Sequence, residues 1–313
     1  MMMDIVAVGE VLIDLTQTGI NQQGVPQFSA NPGGAPANLA VAASKLGAKA
    51  AFVGKVGADS IGSYLRDCLA ENGVNVSGMA VDITQNTTMA VVSVDASGER
   101  SFSFYRDPSA DTMLSEEDIP EELLKNTKYL HFGSVSLTCE PSRSATLYAA
   151  KQAKAAGALV SYDPNYRCRL WPDEETAIAQ MVAPLSMVDV LKVSDEELPL
   201  LTGTTDLEAG VEKLASFGIR LIFITLGAEG AFYRFDGKTG LIPGIRCKVA
   251  DTNGAGDTFF GAMLARLSKL SGLEELTVEK LEEMVAFSNK AASLTTSRSG
   301  AIPAMPTLEE VLT

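Results

Sequence analysis

The chain is short of several things, and each shortage removes a class of function. Of its 313 residues only four are cysteine and one is histidine. Cys68, Cys139, Cys168 and Cys247 lie far apart with no CxxC pair, so neither a zinc site nor a disulfide framework is expected, and the thiols read as reduced. Basic charge is scarce too: 25 Lys and Arg against 39 Asp and Glu leave a net charge of -14. That balance disfavours nucleic acid or an anionic membrane as a partner and leaves small ligands open. No apolar run approaches the ~20 residues of a membrane span. The opening MMMDIVAVGE has neither a basic n-region nor a cleavable apolar stretch, so a cytoplasmic protein is expected. Repeats, low-complexity tracts and long linkers are also missing.

What is present is ample apolar material, 46% of the chain, in an alternating order of elements. IVAVGEVLIDL (5–15) is a β-branched run suited to a strand buried on both faces. PANLAVAASKLG (36–47) repeats its apolar residues at helical spacing between Pro36 and Gly47. A strand over 50–57 and a helix capped by Asp59 and stopped by Gly73 continue the alternation. Residues 87–107 alternate instead and turn around Ala96, Ser97 and Gly98, the signal of an antiparallel hairpin. From 129 to 227 strands and helices alternate again, and short strands follow over 228–250. The pattern predicts one three-layer α/β/α domain over 1–313, built on a doubly wound, mostly parallel sheet. Segments near 10–33 and 87–107 form a small β-sheet lid.

The densest chemistry is in DTNGAGDTFFGAMLARL (251–267). Phe259, Phe260, Met263, Leu264 and Leu267 recur at helical spacing, which starts a helix near Ala255 and puts Gly254 and Gly256 at its N-terminus. Free amides, a partial positive charge and close backbone approach make such a start an anion site. Asp257 lies in the first turn, where the helix field favours its ionised form, placed to take a proton from a hydroxyl beside a phosphate. The plainer alternative is that Asp251 and Asp257 cap the helix. No lysine follows the loop, so it is not GxxxxGK[ST]; it comes late in the chain, so it is not the GxGxxG of a first strand.

DTNGAGD resembles the second signature of the ribokinase/PfkB family of sugar kinases, and NPGGAPANLAVAASKLGAKAAFVGKVGADSIG (31–62) resembles the first. The similarity runs from VGEVLIDL to GAIPAMPT (300–307). FYRDPSADTML, SYDPNYRCRLWP and KVSDEE are similar to the fructokinase branch of that family. The resemblance implies a ribokinase-like fold and transfer of the γ-phosphate of ATP to the 6-hydroxyl of D-fructose. A 2-keto-3-deoxygluconate kinase, with Arg106 and Arg167 on a carboxylate, is the nearest rival. A sugar-binding regulator without chemistry is the alternative from another class.

Site residues follow by matching. Asp257 is implied as the general base, with the amides of Gly254, Ala255 and Gly256 stabilising the transferring phosphoryl group. Asp14, Gly33, Gly34 and Asn38 match sugar-contacting positions, and Phe104, Arg106 and Arg167 would reach the sugar from the lid and a strand end. Lys192, Thr225, Gly227, Gly230 and Asn289 match the ATP side. The family commonly carries NxxE; here Ser194 stands in place of the asparagine, and Glu197 is left to organise the water shell of Mg²⁺. Asp251, with carbonyls near Thr296 and Gly300, is implied in holding a monovalent cation, often K⁺ in the family. Apolar alternation in AVVSV and SFSFY leaves one hairpin face in need of a partner, so a homodimer through the lid is expected.

Overall fold

The computed structural model describes residues 2–94 and 100–313. The first strand, β1 (Met3–Val8), is followed by β2 (Leu12–Ile20), β3 (Pro26–Gly33) and α1 (Ala35–Lys45). Then come β4 (Ala50–Gly57), α2 (Ser60–Glu71), β5 (Asn75–Asp82), β6 (Met89–Val94) and β7 (Arg100–Tyr105). The middle of the chain gives α3 (Glu121–Lys125), β8 (Thr127–Gly133), α4 (Ser142–Ala155), β9 (Leu159–Asp163), α5 (Glu174–Val182) and β10 (Val190–Ser194). Two helices, α6 (Leu198–Thr202) and α7 (Leu207–Ala215), precede β11 (Leu221–Thr225), β12 (Gly230–Phe235) and β13 (Lys238–Pro243). The chain ends in α8 (Ala255–Leu267), α9 (Val278–Thr296) and α10 (Leu308–Leu312).

Nine strands form the large sheet in the order β13-β12-β11-β10-β9-β8-β1-β4-β5. The run from β11 to β5 is parallel, and β12 and β13 add an antiparallel edge. Period-two alternation buries both faces. On β11, Ile222 and Ile224 pack with α4 to α7, while Leu221 and Phe223 pack on the other side with α1, α8 and α9. This is the expected three-layer, ribokinase-like architecture. Helix caps follow the sequence: the Asp59 carboxylate accepts the Gly62 amide at 2.7 Å and starts α2. No helix among the described residues is long and apolar enough to cross a membrane.

Three features differ from expectation. The run 5–15 is two strands in two sheets: β1 is central in the large one, and after residues 9–11 β2 enters the small one. Asp14 therefore lies within β2 rather than at the end of a first strand. The small sheet, ordered β3-β2-β6-β7, is mixed and not purely antiparallel, because β2 and β6 pair in parallel. Both strands leave the carboxyl ends of parallel strands, β1 and β5, so they set out in the same direction. The turn expected at Ala96, Ser97 and Gly98 lies outside the described residues. Finally β5 and α9 are elements the sequence pattern does not single out, although Thr277 caps α9 by accepting the Lys280 amide at 3.3 Å.

The chain's single histidine, His131, is buried on β8, with Nδ1 3.2 Å from Ser161 Oγ and the ring edge-on to Phe260 at 5.4 Å. Burial, reinforced by the nearby Lys192 charge, pushes its pKa down to about 3. An unfolded chain takes up this proton below its ordinary value of about 6.5. His131 thus contributes stability that is complete above pH ~6.5 and is lost as pH falls toward its folded value, at roughly 1.4 kcal/mol per pH unit. In urea melts, His131→Gln should therefore gain on the native protein between pH 7 and pH 4.5. An unchanged difference would contradict a neutral, buried imidazole.

Candidate active site

A cavity of about 630 Å³ opens where the small sheet meets the carboxyl ends of the parallel strands. This is where open α/β sheets place their ligands. Its focal group is Asp257, in the first turn of α8 and 7% exposed. Two side-chain amides donate to the carboxylate: Asn38 Nδ2 to Oδ2 at 2.8 Å and Asn165 Nδ2 to Oδ1 at 3.1 Å. The carboxylate is thereby oriented as an acceptor. Asn38 reaches it because α1 and α8 pack tightly one turn further along, where a Cβ on Gly261 would stand 2.8 Å from the Leu39 carbonyl oxygen. Burial pushes the Asp257 pKa up; Asn38, Lys192, Arg167 and Asn165 counter it only in part. Desolvation is thus the largest influence on this carboxyl. A raised pKa makes it a better proton acceptor once ionised.

The anion-site geometry rests on Gly254, the N-cap of α8. Its φ is +76°, and an added Cβ would stand 2.9 Å from Ala301 Cβ. The N-cap is a glycine and so brings no side-chain cap of its own, and Asp257 lies inside the helix rather than at its cap. The Ala255 amide makes a long bond to the Thr252 carbonyl, 3.3 Å. Lys192 stands beside the helix start, its Nζ 3.1 Å from where a Gly256 Cβ would be. It is buried and pairs with Asp163 at 2.9 Å. Burial opposes the Lys192 charge, but Asp163, Glu197 and Asp257 outweigh it and hold the ammonium above its usual pKa. Burial pushes Asp163 up, with Lys192 opposing.

On the sugar side, Asp14, Gly34, Asn38, Phe104, Arg106 and Arg167 all line the cavity. Gly33 is adjacent, its absent Cβ leaving room for Asp14 Oδ2, which would otherwise lie 2.7 Å away. Burial raises Asp14 to about 6 against Asn253 and Arg167. Arg106 also makes three bonds within the protein. Its Nε donates to Asp111 Oδ2 at 2.7 Å, one terminal nitrogen to Thr138 Oγ1 at 2.7 Å and the other to the Val135 carbonyl at 3.0 Å. The guanidinium is thus a buried tie between the end of β7 and the turn after β8, with its charge balanced by Asp111. Arg167 is exposed at the rim, donating to the Tyr166 carbonyl at 3.1 Å.

Other expected residues are not brought to this cavity. Thr225, Gly227 and Gly230 form the turn from β11 to β12, and Asn289 on α9 donates to the carbonyls of Ile242 and Pro243, both at 3.1 Å. Glu197 accepts the Tyr166 amide at 2.7 Å and the Ser194 amide at 2.8 Å, which ties two strand-end loops together. Asp251 and Gly300 do line the cavity. The Asp251 carboxylate accepts the amides of Asn253 at 3.0 Å and Gly300 at 3.2 Å, while the Thr296 carbonyl accepts those of Ala250 at 2.9 Å and Asp251 at 3.2 Å. These bonds clasp the loop before α8 to the end of α9 and the segment after it. Among the described residues no three His, Cys, Asp or Glu side chains gather for a metal ion. Sequence reasoning missed Glu10, Asp111, Asp163 and Asn165. The DPN of 163–165 and Glu10, the first of two acids inside the apolar run 5–15, were the available signals.

The pattern of a pfkB family carbohydrate kinase matches residues 2–308. Fructokinase-1 of Zea mays is 44% identical over 312 residues, covering 98% of this chain and 96% of that protein. Fructokinase-2 of Solanum lycopersicum is 42% identical over 316 residues, covering 99% and 95%. Among solved structures, the fructokinase of Xylella fastidiosa with bound ATP superposes with a TM-score of 0.92 at 35% identity, covering 99% of this chain and 97% of that one. The fructokinase of Vibrio cholerae O395 with fructose, ADP and calcium ion bound gives 0.90 at 36% identity, covering 99% and 98%. By sequence and by fold, this chain belongs to the pfkB family of carbohydrate kinases.

Proposed function

We propose that the chain is a fructokinase, transferring the γ-phosphoryl group of ATP to the 6-hydroxyl of D-fructose. The observation that carries this reading is Asp257, buried at the start of α8 and held as an acceptor by Asn38 and Asn165. In the reaction the O6 proton passes to the Asp257 carboxylate, the O6–P bond forms, and the bond from phosphorus to the ADP oxygen breaks. Asn38 and Asn165 hold the carboxylate, Gly254 and Gly256 let the phosphoryl group approach the helix start, and Lys192 adds a positive charge beside it. Asp14 and the backbone at Gly33 and Gly34 orient the sugar under a lid formed by the small sheet. Mg²⁺ arriving with the nucleotide would supply positive charge to the β and γ phosphates, and Glu197, which ties the loops after two strands, is the residue that would hold its water shell.

Relatives named fructokinase point to fructose. Arg106 points the same way: with its charge matched by Asp111, it suits a neutral sugar better than the carboxylate of 2-keto-3-deoxygluconate. A cytoplasmic location and a homodimer belong to the same reading. A second copy would cover exposed Ile20, Phe28 and Tyr105 of the small sheet.

The test is nucleotide consumption with ATP and Mg²⁺ on fructose, glucose, ribose, 2-keto-3-deoxygluconate and adenosine. Fructose should lead by roughly 10²-fold or more, since polar sites reject sugars that leave their groups unpaired. Selective turnover of the keto acid would overturn the fructose assignment, and no turnover on any acceptor would favour a regulator.

A further inference from the structure

Glu10 lies in the crossing from β1 to β2, between the two sheets, and is 2% exposed. A carboxylate in such a place is costly unless it is bonded. Its Oε1 accepts the Ala35 amide at 3.0 Å, and Oε2 has no partner within the protein. Arg106 and Asp111 are its charged neighbours, and burial pushes its pKa up to about 7. Ala35 is the first residue of α1, whose N-cap is Gly34 with φ +103° and no side-chain cap. A helix start leaves its first amides without internal partners. Pro36 has none to satisfy, the Asn38 amide reaches the Gly34 carbonyl at 2.8 Å, and Glu10 takes the amide of Ala35 from outside the helix. The two segments also touch through their backbones: a Cβ on Gly34 would stand 2.5 Å from the Glu10 carbonyl oxygen. One turn into the same helix, Asn38 donates to Asp257 at 2.8 Å.

We propose that Glu10 is a positioning residue for Asp257: it fixes the first turn of α1, and through it the Asn38 amide that aims the carboxylate. The inference rests on the reading of Asp257 as the base, and Asp257→Asn tests that reading by itself.

The test compares kcat and KM for fructose in Glu10→Met, which keeps the volume and removes the acceptor, with Glu10→Gln, which restores an amide oxygen. Glu10→Met should lose about 10- to 100-fold in kcat, the scale of an ångström-level misplacement. Its change in KM should be smaller, and Glu10→Gln should recover kcat to within about threefold of native. In the double variant Glu10→Met/Asn38→Ala, kcat should fall no further than in Asn38→Ala alone, because both act on one path. If Glu10→Met does not fold, Ala35→Pro removes the donor at a helix position that tolerates proline, and the same loss in kcat is expected. Native kcat in the variant that removes the bond, no recovery by Gln, or losses that multiply in the double variant would each overturn the proposal. With Asp257→Asn inactive, those results would leave the base assignment standing.

Discussion

Asp257→Asn loses turnover by roughly 10²- to 10⁴-fold, the range a positioned general base supplies, while fructose binds within about threefold of native. The asymmetry follows from the geometry. The two donors Asn38 and Asn165 approach different oxygens of the carboxylate, and the reacting hydroxyl supplies the proton. An asparagine at this position offers one acceptor to two donors and has no basic lone pair for the proton, whereas Asp14 and the Gly33–Gly34 backbone are untouched. Steady-state kinetics with a calorimetric titration of fructose separates the two effects. A rate above one tenth of native would contradict the assignment.

Lys192→Met has the largest expected effect on stability, about 3–5 kcal/mol, because it leaves the Asp163 carboxylate buried without its partner. The other Asp163 oxygen already lacks a bond, so nothing else in the protein takes over. Removing the lysine pushes the Asp163 pKa higher still in the folded state. A carboxyl whose folded pKa exceeds its unfolded one supports folding at low pH and loses that support as pH rises through the folded value. The deficit of Lys192→Met in denaturant melts should therefore be larger at pH 8 than at pH 5. Asp163→Asn/Lys192→Met should recover part of it. A deficit that does not change with pH would mean that the pair is not what the lysine stabilises.

The residues that could be read from the sequence are those whose meaning is local. Gly254, Gly256 and Asp257 sit within four positions of one another, so a helix start, an anion site and a base are visible in one stretch. The large sheet was legible for the same reason, since β11 or β4 shows its burial in its own composition. The site's second layer was not legible, because it is made by pairing across the chain. Asn38 and Asn165 lie 219 and 92 residues from the carboxylate they hold. The break at residues 9–11 was hidden because apolar residues line both β1 and the start of β2, so hydrophobicity does not register the change of sheet. Arg106 shows the same limit. Its place on the cavity side, two residues after Phe104, follows from alternation, but its pairing with Asp111 depends on how the chain turns after β7. Glu10 looks in the sequence like one more acid in an apolar run, and its bond to Ala35 exists only once the two sheets are assembled.

The most direct test of the account is the product itself. Native protein and Asp257→Asn, incubated side by side with ATP, Mg²⁺ and carbon-13-labelled fructose, are followed by phosphorus and carbon NMR. The native protein should build a single phosphoester with phosphorus coupling at C6 and release ADP, and the variant should build none on that timescale. An ester at C1, or equal esterification by the two proteins, would contradict Asp257 as the base that activates the 6-hydroxyl of fructose.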